Sequence, residues 1–219
     1  ETYGLEDDAD CSFQNIRVEK GVYHFDFKYS GGVYRDYTFV KPGRHNLLNA
    51  LAAVSVAVKA GFAPEVLLPH LATFKGVKRR FSYIIKQKDL VFIDDYAHHP
   101  SEISALYQAV AEMYPHTPKT IIFQPHLFTR TRDFMDDFAK SLSQFDEVIL
   151  LDIYPARELP IEGITSQALL DKITAKQKTL VSKEALIPFL LKKRPSLLLA
   201  VGAGDIGAEV NTIKEALEK

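Results

Sequence analysis

The stretch Val91-Phe92-Ile93-Asp94-Asp95-Tyr96-Ala97-His98-His99-Pro100 decides how the chain is read. It begins as an apolar run of strand length and ends in two carboxylates, a tyrosine and two histidines. A short apolar run without polar alternation suits a strand covered on both faces, as in a parallel sheet. Pro100 and Ser101 then open a helix expected over Glu102 to Met113, proline being tolerated in the first helical turn. Polar side chains crowded at the carboxyl end of a buried strand lie where open α/β sheets place their ligands. Taken alone, the same letters would also suit a turn capped by Asp94 and Asp95 beside two exposed histidines.

Working outward, Tyr83-Ile84-Ile85 and Leu90 to Ile93 read as strands. Further strands are expected at Lys119 to Phe123, Glu147 to Leu151, Thr179 to Val181 and Ser196 to Val201. Between them the pattern predicts helices from about Arg132 to Ser143, Ser166 to Ile173 and Lys183 to Leu191, and a closing helix after Gly204. Alternating strands and helices imply right-handed βαβ units, an α/β Rossmann-like domain with a mainly parallel sheet. On the amino side, residues 11–40 alternate apolar and polar, with breaks at Gly21 and Ser30-Gly31-Gly32. That is the pattern of an antiparallel meander whose aromatic rows (Phe13, Tyr23, Phe25, Phe27, Phe39) pack in a core. A helix follows through GRHNLLNALAAVSVAVKAG to its stop at Gly61, and a second short one from Pro64 to Phe74. The basic loop Lys75 to Phe81 divides the chain, giving expected domains 1–79 and 80–219.

The composition is that of an ordinary globular protein: 219 residues, 47% hydrophobic and 25% charged, with a net charge of −1. No global basic field favours nucleic acid, and no apolar run is long enough to insert in a membrane. Cys11 is the single cysteine, so an internal disulfide and a cysteine-based zinc site are excluded, and a reducing, cytoplasmic setting fits. The chain opens on ETYGLEDDAD without an initiator methionine, which leads us to expect a fragment of a longer protein.

Several groups of residues could carry chemistry. His45, Asn46 and Asn49 open the first long helix, and the two asparagines, three apart, share a face. An asparagine amide both donates and accepts, which suits a purine edge; it equally suits a helix cap. Arg79 and Arg80 offer forked guanidinium groups for phosphate or carboxylate, or simply a solvated basic loop. Gln124-Pro125-His126-Leu127-Phe128-Thr129-Arg130-Thr131-Arg132 follows a strand that should end on the same side as Asp95. Arg130 and Arg132 there could clamp an anion or pair with Asp133, Asp136 and Asp137. A third such loop runs through residues 152–166, where Thr165 or Ser166 is expected to cap the next helix. Gly202-Ala203-Gly204-Asp205-Ile206-Gly207 has dinucleotide-binding spacing, but no further strand follows it. Close helix–strand packing explains it better. His98, His99 and His126 lack metal-ligand spacing, and no metal is assigned to them.

In order, GRHNLLNALAA, GVKRRF, IDDYAHHPSEI, FQPHLFTRTRDF, DIYPARE and GAGDIG resemble the Mur ligases of peptidoglycan synthesis, over nearly the whole chain. Within that family, DDYAHHP and QPHLFTRTR resemble the branch that joins L-alanine to UDP-N-acetylmuramate. The resemblance implies a three-domain ATP-dependent ligase working through an acyl phosphate. Residues 1–79 would be the later part of its central ATPase domain, and 80–219 its amino-acid-binding domain. It implies ATP contacts from His45, Asn46, Asn49, Arg80 and Asp95, and an alanine site lined by Tyr96, His98, His126 and Arg130. Leu127 departs from the arginine that the family pattern has at that place. The phosphate-cradling loop and the Mg2+ ligands are not among these motifs, so residues 1–219 alone are expected to be inactive and to hold no cofactor tightly. Two alternatives stand beside this: a recycling ligase that adds a peptide to UDP-N-acetylmuramate, and a non-catalytic domain binding nucleotide or a partner protein.

Overall fold

The computed structural model describes residues 2–6, 8–19 and 21–218. The chain forms two compact units, residues 1–76 with 108–115, and residues 77–107 with 116–219. The division falls at Gly76/Val77, three residues before the expected boundary and inside the same basic loop. No helix among the described residues is long and apolar enough to cross a membrane.

The first unit is built on the alternation read from the sequence. Strands β1 (Tyr3–Gly4), β2 (Cys11–Glu19), β3 (Val22–Tyr29) and β4 (Gly32–Phe39) form one sheet in that order. The last three make the antiparallel meander, and β1 adds a short parallel edge that no periodicity announces. Phe13, Tyr23, Phe25 and Phe27 are fully buried, with the Phe13 and Phe25 rings 4.0 Å apart. Helix α1 (Arg44–Lys59) covers this face with Leu47, Leu51, Val54 and Val58, a stripe at helical spacing. The buried Tyr23 hydroxyl donates to Glu112 and accepts from Gly43 N, at 3.1 Å, which fixes the turn that launches α1. The expected helix over 64–74 is in fact α2 (Pro64–Leu67) followed by a 3-10 helix over Leu68–Thr73. Pro69 has no N–H to continue the α ladder, so the chain tightens there.

The second unit is a six-stranded sheet in the order β5-β6-β10-β7-β8-β9. Its strands are β5 (Ser82–Lys86), β6 (Val91–Asp95), β7 (Thr120–Phe123), β8 (Glu147–Leu150), β9 (Gln177–Leu180) and β10 (Leu197–Val201). All neighbours pair in parallel except β5, an antiparallel edge strand. Its helices are α3 (Pro100–Met113, which groups with the first unit from Gln108 onward), α4 (Phe128–Asp133), α5 (Met135–Leu142), α6 (Ser166–Lys172), α7 (Lys183–Lys193) and α8 (Ile206–Leu217). The central strands β6, β7 and β10 are buried at every position, as continuous apolar runs predict. The last strand in sequence, β10, returns between β6 and β7, bringing the glycine turn at 202–204 into the middle of the carboxyl edge.

The helix expected from about Arg132 starts earlier, at Phe128, and is broken at Phe134, whose φ of −120° and ψ of 22° leave the helical region. The first piece was hidden because FTRTRD carries little apolar periodicity, and of its residues Thr131 alone is buried.

Candidate active site

The register of the second sheet aligns Asp95, Val201, Phe123 and Leu150 at its carboxyl edge. The loops that leave those residues therefore emerge side by side, where an open parallel sheet places its ligands. They bring together the four residues expected to line a substrate site, with a fifth. The Tyr96 and His98 rings meet edge to face at 5.2 Å, and His98 and His126 lie 6.4 Å apart. His126 stacks on Tyr154 at 5.7 Å and 21°. Arg130 Nη1 lies 3.4 Å from His126 Nδ1.

Partner chemistry fixes the tautomers of both histidines. A guanidinium can only donate, so His126 Nδ1 is an acceptor and its proton sits on Nε2. His98 Nδ1 faces the Tyr96 carbonyl oxygen at 2.9 Å; a carbonyl can only accept, so this nitrogen carries the hydrogen. When His98 is neutral, its Nε2 is left as a lone pair. The site thus offers a cation at Arg130, an N–H donor at His126 Nε2 and a proton acceptor at His98 Nε2.

Burial, then the Arg130 charge and the neighbouring His98, push the His126 imidazole below its ordinary value. The unfolded chain takes up this proton near pH ~6.5, the folded chain only at lower pH. Between the two values the unfolded state binds more protons. The stability that His126 contributes is therefore complete above the unfolded value and is lost as pH falls through the folded one. We expect the His126 ring resonance to titrate below pH ~6.5, the ordinary histidine value, in an NMR titration. A midpoint at or above that value would remove this electrostatic account.

The two adjacent histidines divide their work. His99 precedes α3 and accepts at its carbonyl from Ile103 N, 3.0 Å away, while Glu102 Oε2 accepts from His99 N at 3.2 Å. This is the glutamate half of a capping box, with histidine in the cap position. The His99 ring packs edge-on against Phe134 at 4.6 Å. Glu102 also accepts from His98 N at 2.9 Å and lies 3.6 Å from Arg80 Nη1. Burial opposes its ionisation, but the His98 bond and the Arg80 charge outweigh it and hold the carboxyl below the usual range.

Arg79 and Asp95, by contrast, hold the loops together. Arg79, at φ 60°, places Nε 3.3 Å from both Asp94 oxygens and donates from Nη2 to Gly202 O at 2.7 Å. Its guanidinium lies 5.0 Å over the Tyr96 ring. The Asp95 oxygens accept from Phe81 N at 2.7 Å and Ala97 N at 2.8 Å, and the residue is 5% exposed. Each oxygen therefore has one lone pair spoken for, and little surface is left for a ligand. Burial pushes both the Asp94 and the Asp95 carboxyls up. Arg80 is freer, its side chain nearly half exposed.

The glycine turn serves packing. A Cβ on Gly204 would lie within 3 Å of Tyr154, and one on Gly207 would overlap the Arg79 guanidinium. Gln124, buried beside the turn, donates to Asp205 Oδ1 at 2.7 Å and accepts from Ile206 N at 2.9 Å. Thr165 caps α6, accepting from Ala168 N at 3.0 Å, whereas Ser166 is buried and donates to Leu151 O.

In the first unit, Gly43 rather than an asparagine precedes α1. Asn46 turns back to donate to Pro42 O at 2.6 Å, and His45 and Asn49 are exposed. Among the described residues no three His, Cys, Asp or Glu side chains gather as metal ligands.

Three participants were not singled out from the sequence: Glu102, Tyr154 and Glu158. Glu102 was legible as the third residue after a helix cap. Tyr154 and Glu158 act through a loop of irregular backbone, which periodicity does not describe.

Residues 79–204 match the family model described as Mur ligase, glutamate ligase domain. The chain is 55% identical over 214 residues to the UDP-N-acetylmuramate–L-alanine ligase of Christiangramia forsetii, covering 98% of this chain and 47% of that protein. It is 54% identical over 218 residues to the enzyme of the same name from Flavobacterium psychrophilum, covering 100% and 49%. The chain thus spans about half the length of these relatives. Its fold superposes on the crystal structure of the UDP-N-acetylmuramate–alanine ligase of Thermotoga maritima with a TM-score of 0.80, at 28% identity, over 99% of this chain and 47% of that one.

Proposed function

The chain belongs to the Mur ligase family, and from that premise we propose that it serves an ATP-dependent ligase joining L-alanine to UDP-N-acetylmuramate in peptidoglycan synthesis. The observation that carries this reading is the gathering of Tyr96, His98, His126 and Arg130 on one edge of one sheet. A free α-amino acid presents a carboxylate and an ammonium a few ångströms apart. Arg130 supplies the forked cation for the carboxylate, and His126 Nε2–H is a second donor to it. His98 Nε2 is placed to accept the proton that the ammonium must lose before its nitrogen can attack. Tyr96 packs against His98 and Tyr154 against His126, holding the two imidazoles in place.

The chemistry proceeds by displacement. The muramate carboxylate oxygen attacks the γ-phosphorus of ATP, ADP leaves, and an acyl phosphate forms. The alanine nitrogen then attacks the acyl carbon, an amide forms, and phosphate departs with the acyl C–O bond. The protein's share is positioning and charge neutralisation. For ATP, the resemblance implies His45, Asn46 and Asn49 for the base, Arg80 for the phosphates and Asp95 for the ribose. Of these Arg80 fits best, because Asp95 is occupied by its own backbone partners.

The test is phosphate release by the intact protein with ATP, UDP-N-acetylmuramate and either L-alanine or a tripeptide acceptor. L-Alanine is expected to be used in strong preference. Equal or better use of the tripeptide would transfer the reading to peptide recycling. Residues 1–219 assayed alone are expected to release no phosphate, because the sequence contains no Gly-x-x-Gly-Lys-Ser/Thr loop to cradle phosphates.

A further inference from the structure

We propose that Glu158 is a positioning residue for the acceptor site: it supplies, from a loop some thirty residues along the chain, the cap that α4 lacks, and so holds His126 and Arg130 in place. The inference rests on the acceptor reading for its effect on substrate, though not for the contact itself.

Helix α4 starts abruptly. Leu127, in the cap position, has φ 74° and ψ 136° and no side-chain oxygen to offer. The N–H groups of a first helical turn still need acceptors. Glu158 provides one, accepting from Thr129 N at 3.0 Å and from the Thr129 hydroxyl. His126 stands three residues before this contact and Arg130 one residue after it.

The far end of the same loop is also tied down. Leu127 N donates to Tyr154 O at 2.9 Å and Tyr154 N to Pro125 O at 2.8 Å, while the Tyr154 ring backs His126. Glu158 N closes the intervening turn on Pro155 O at 2.9 Å, through Ala156 at φ 51°. The segment 125–129 is thus clasped by backbone bonds at one end and by a carboxylate at the other. Loss of the carboxylate frees the end that carries Arg130.

The experiment compares Glu158→Ala, Glu158→Gln and Thr129→Val in the intact protein. Glu158→Ala is expected to raise KM for L-alanine by about fivefold or more, the factor that loss of a helix cap represents. KM for ATP and kcat at saturating L-alanine should stay within about twofold. Glu158→Gln, which keeps an acceptor oxygen, should recover most of the loss. Thr129→Val, which removes the hydroxyl donor and keeps the N–H, should cost less than Glu158→Ala. In parallel, the Thr129 amide should lose hydrogen-exchange protection in Glu158→Ala. An unchanged KM for L-alanine overturns the proposal, as does a rise shared equally by ATP, which would mark a merely structural role. A wild-type protein inert toward L-alanine would defeat the acceptor reading instead. The Thr129 amide then still decides the clasp, and unaltered protection there overturns it.

Discussion

Arg130→Ala is expected to raise KM for L-alanine by roughly 10- to 100-fold while leaving KM for ATP within about twofold. The magnitude follows from a charged hydrogen bond, worth about 1.5–3 kcal/mol, at about 1.4 kcal/mol per factor of ten. Arg130→Lys should fall between the two, because it keeps the charge but loses the planar fork. A second readout separates loss of substrate contact from collapse of the loop. The Arg130 guanidinium is one cause, after burial, of the depressed His126 imidazole. Its removal should move the His126 titration up toward the ordinary value, with the loop still folded. If the two KM values rise together, or His126 does not respond, Arg130 is not the anion clamp of this site.

How much of this was legible in the sequence depends on the kind of interaction. The fold announced itself through periodicity. Continuous apolar runs marked β6, β7 and β10, and alternation marked β2, β3 and β4, because burial on two faces or one leaves a direct trace in residue order. Two edge features left none: β1 has two residues, and the antiparallel direction of β5, whose strand was expected at Tyr83 to Ile85, comes from backbone pairing that any sequence can make. The site was half legible. Tyr96, His98, His126 and Arg130 could be picked out because polar residues just beyond buried strands are conspicuous. Their supports could not. The Arg79 guanidinium was read as suiting phosphate or carboxylate; it takes the Asp94 carboxylate and joins it to Gly202 and Tyr96, partners that only the fold reveals. Glu158 reaches Thr129 across 29 residues, a pairing that only the folded loop defines. Leu127 takes a left-handed conformation without being glycine, because the strand-like bond to Tyr154 and the start of α4 over-determine its backbone.

The glycine turn gives the sharpest test of the packing explanation for Gly202-Ala203-Gly204. Gly202 sits at φ 145°, a region that residues with a Cβ rarely enter, and a Cβ there would lie 2.8 Å from the Gln124 carbonyl oxygen. Relaxation is blocked on both sides: Gly202 N donates to Asp95 O at 3.2 Å, and Gly202 O accepts from Arg79 at 2.7 Å. Gly202→Ala therefore adds steric overlap, roughly 1–3 kcal/mol, to backbone strain of about the same size. The sum should lower Tm by on the order of 10 °C for a protein of this size. Gly163→Ala is the control: φ is 76°, but no atom lies within 4 Å of the added carbon, so strain acts alone. Its drop should be about half as large or less. Calorimetry on both variants decides the matter. Equal shifts would mean that the turn needs glycine only for its dihedral angles. The larger shift at Gly202 would tie the turn to Gln124 and Arg79, and through Arg79 to the Tyr96 ring.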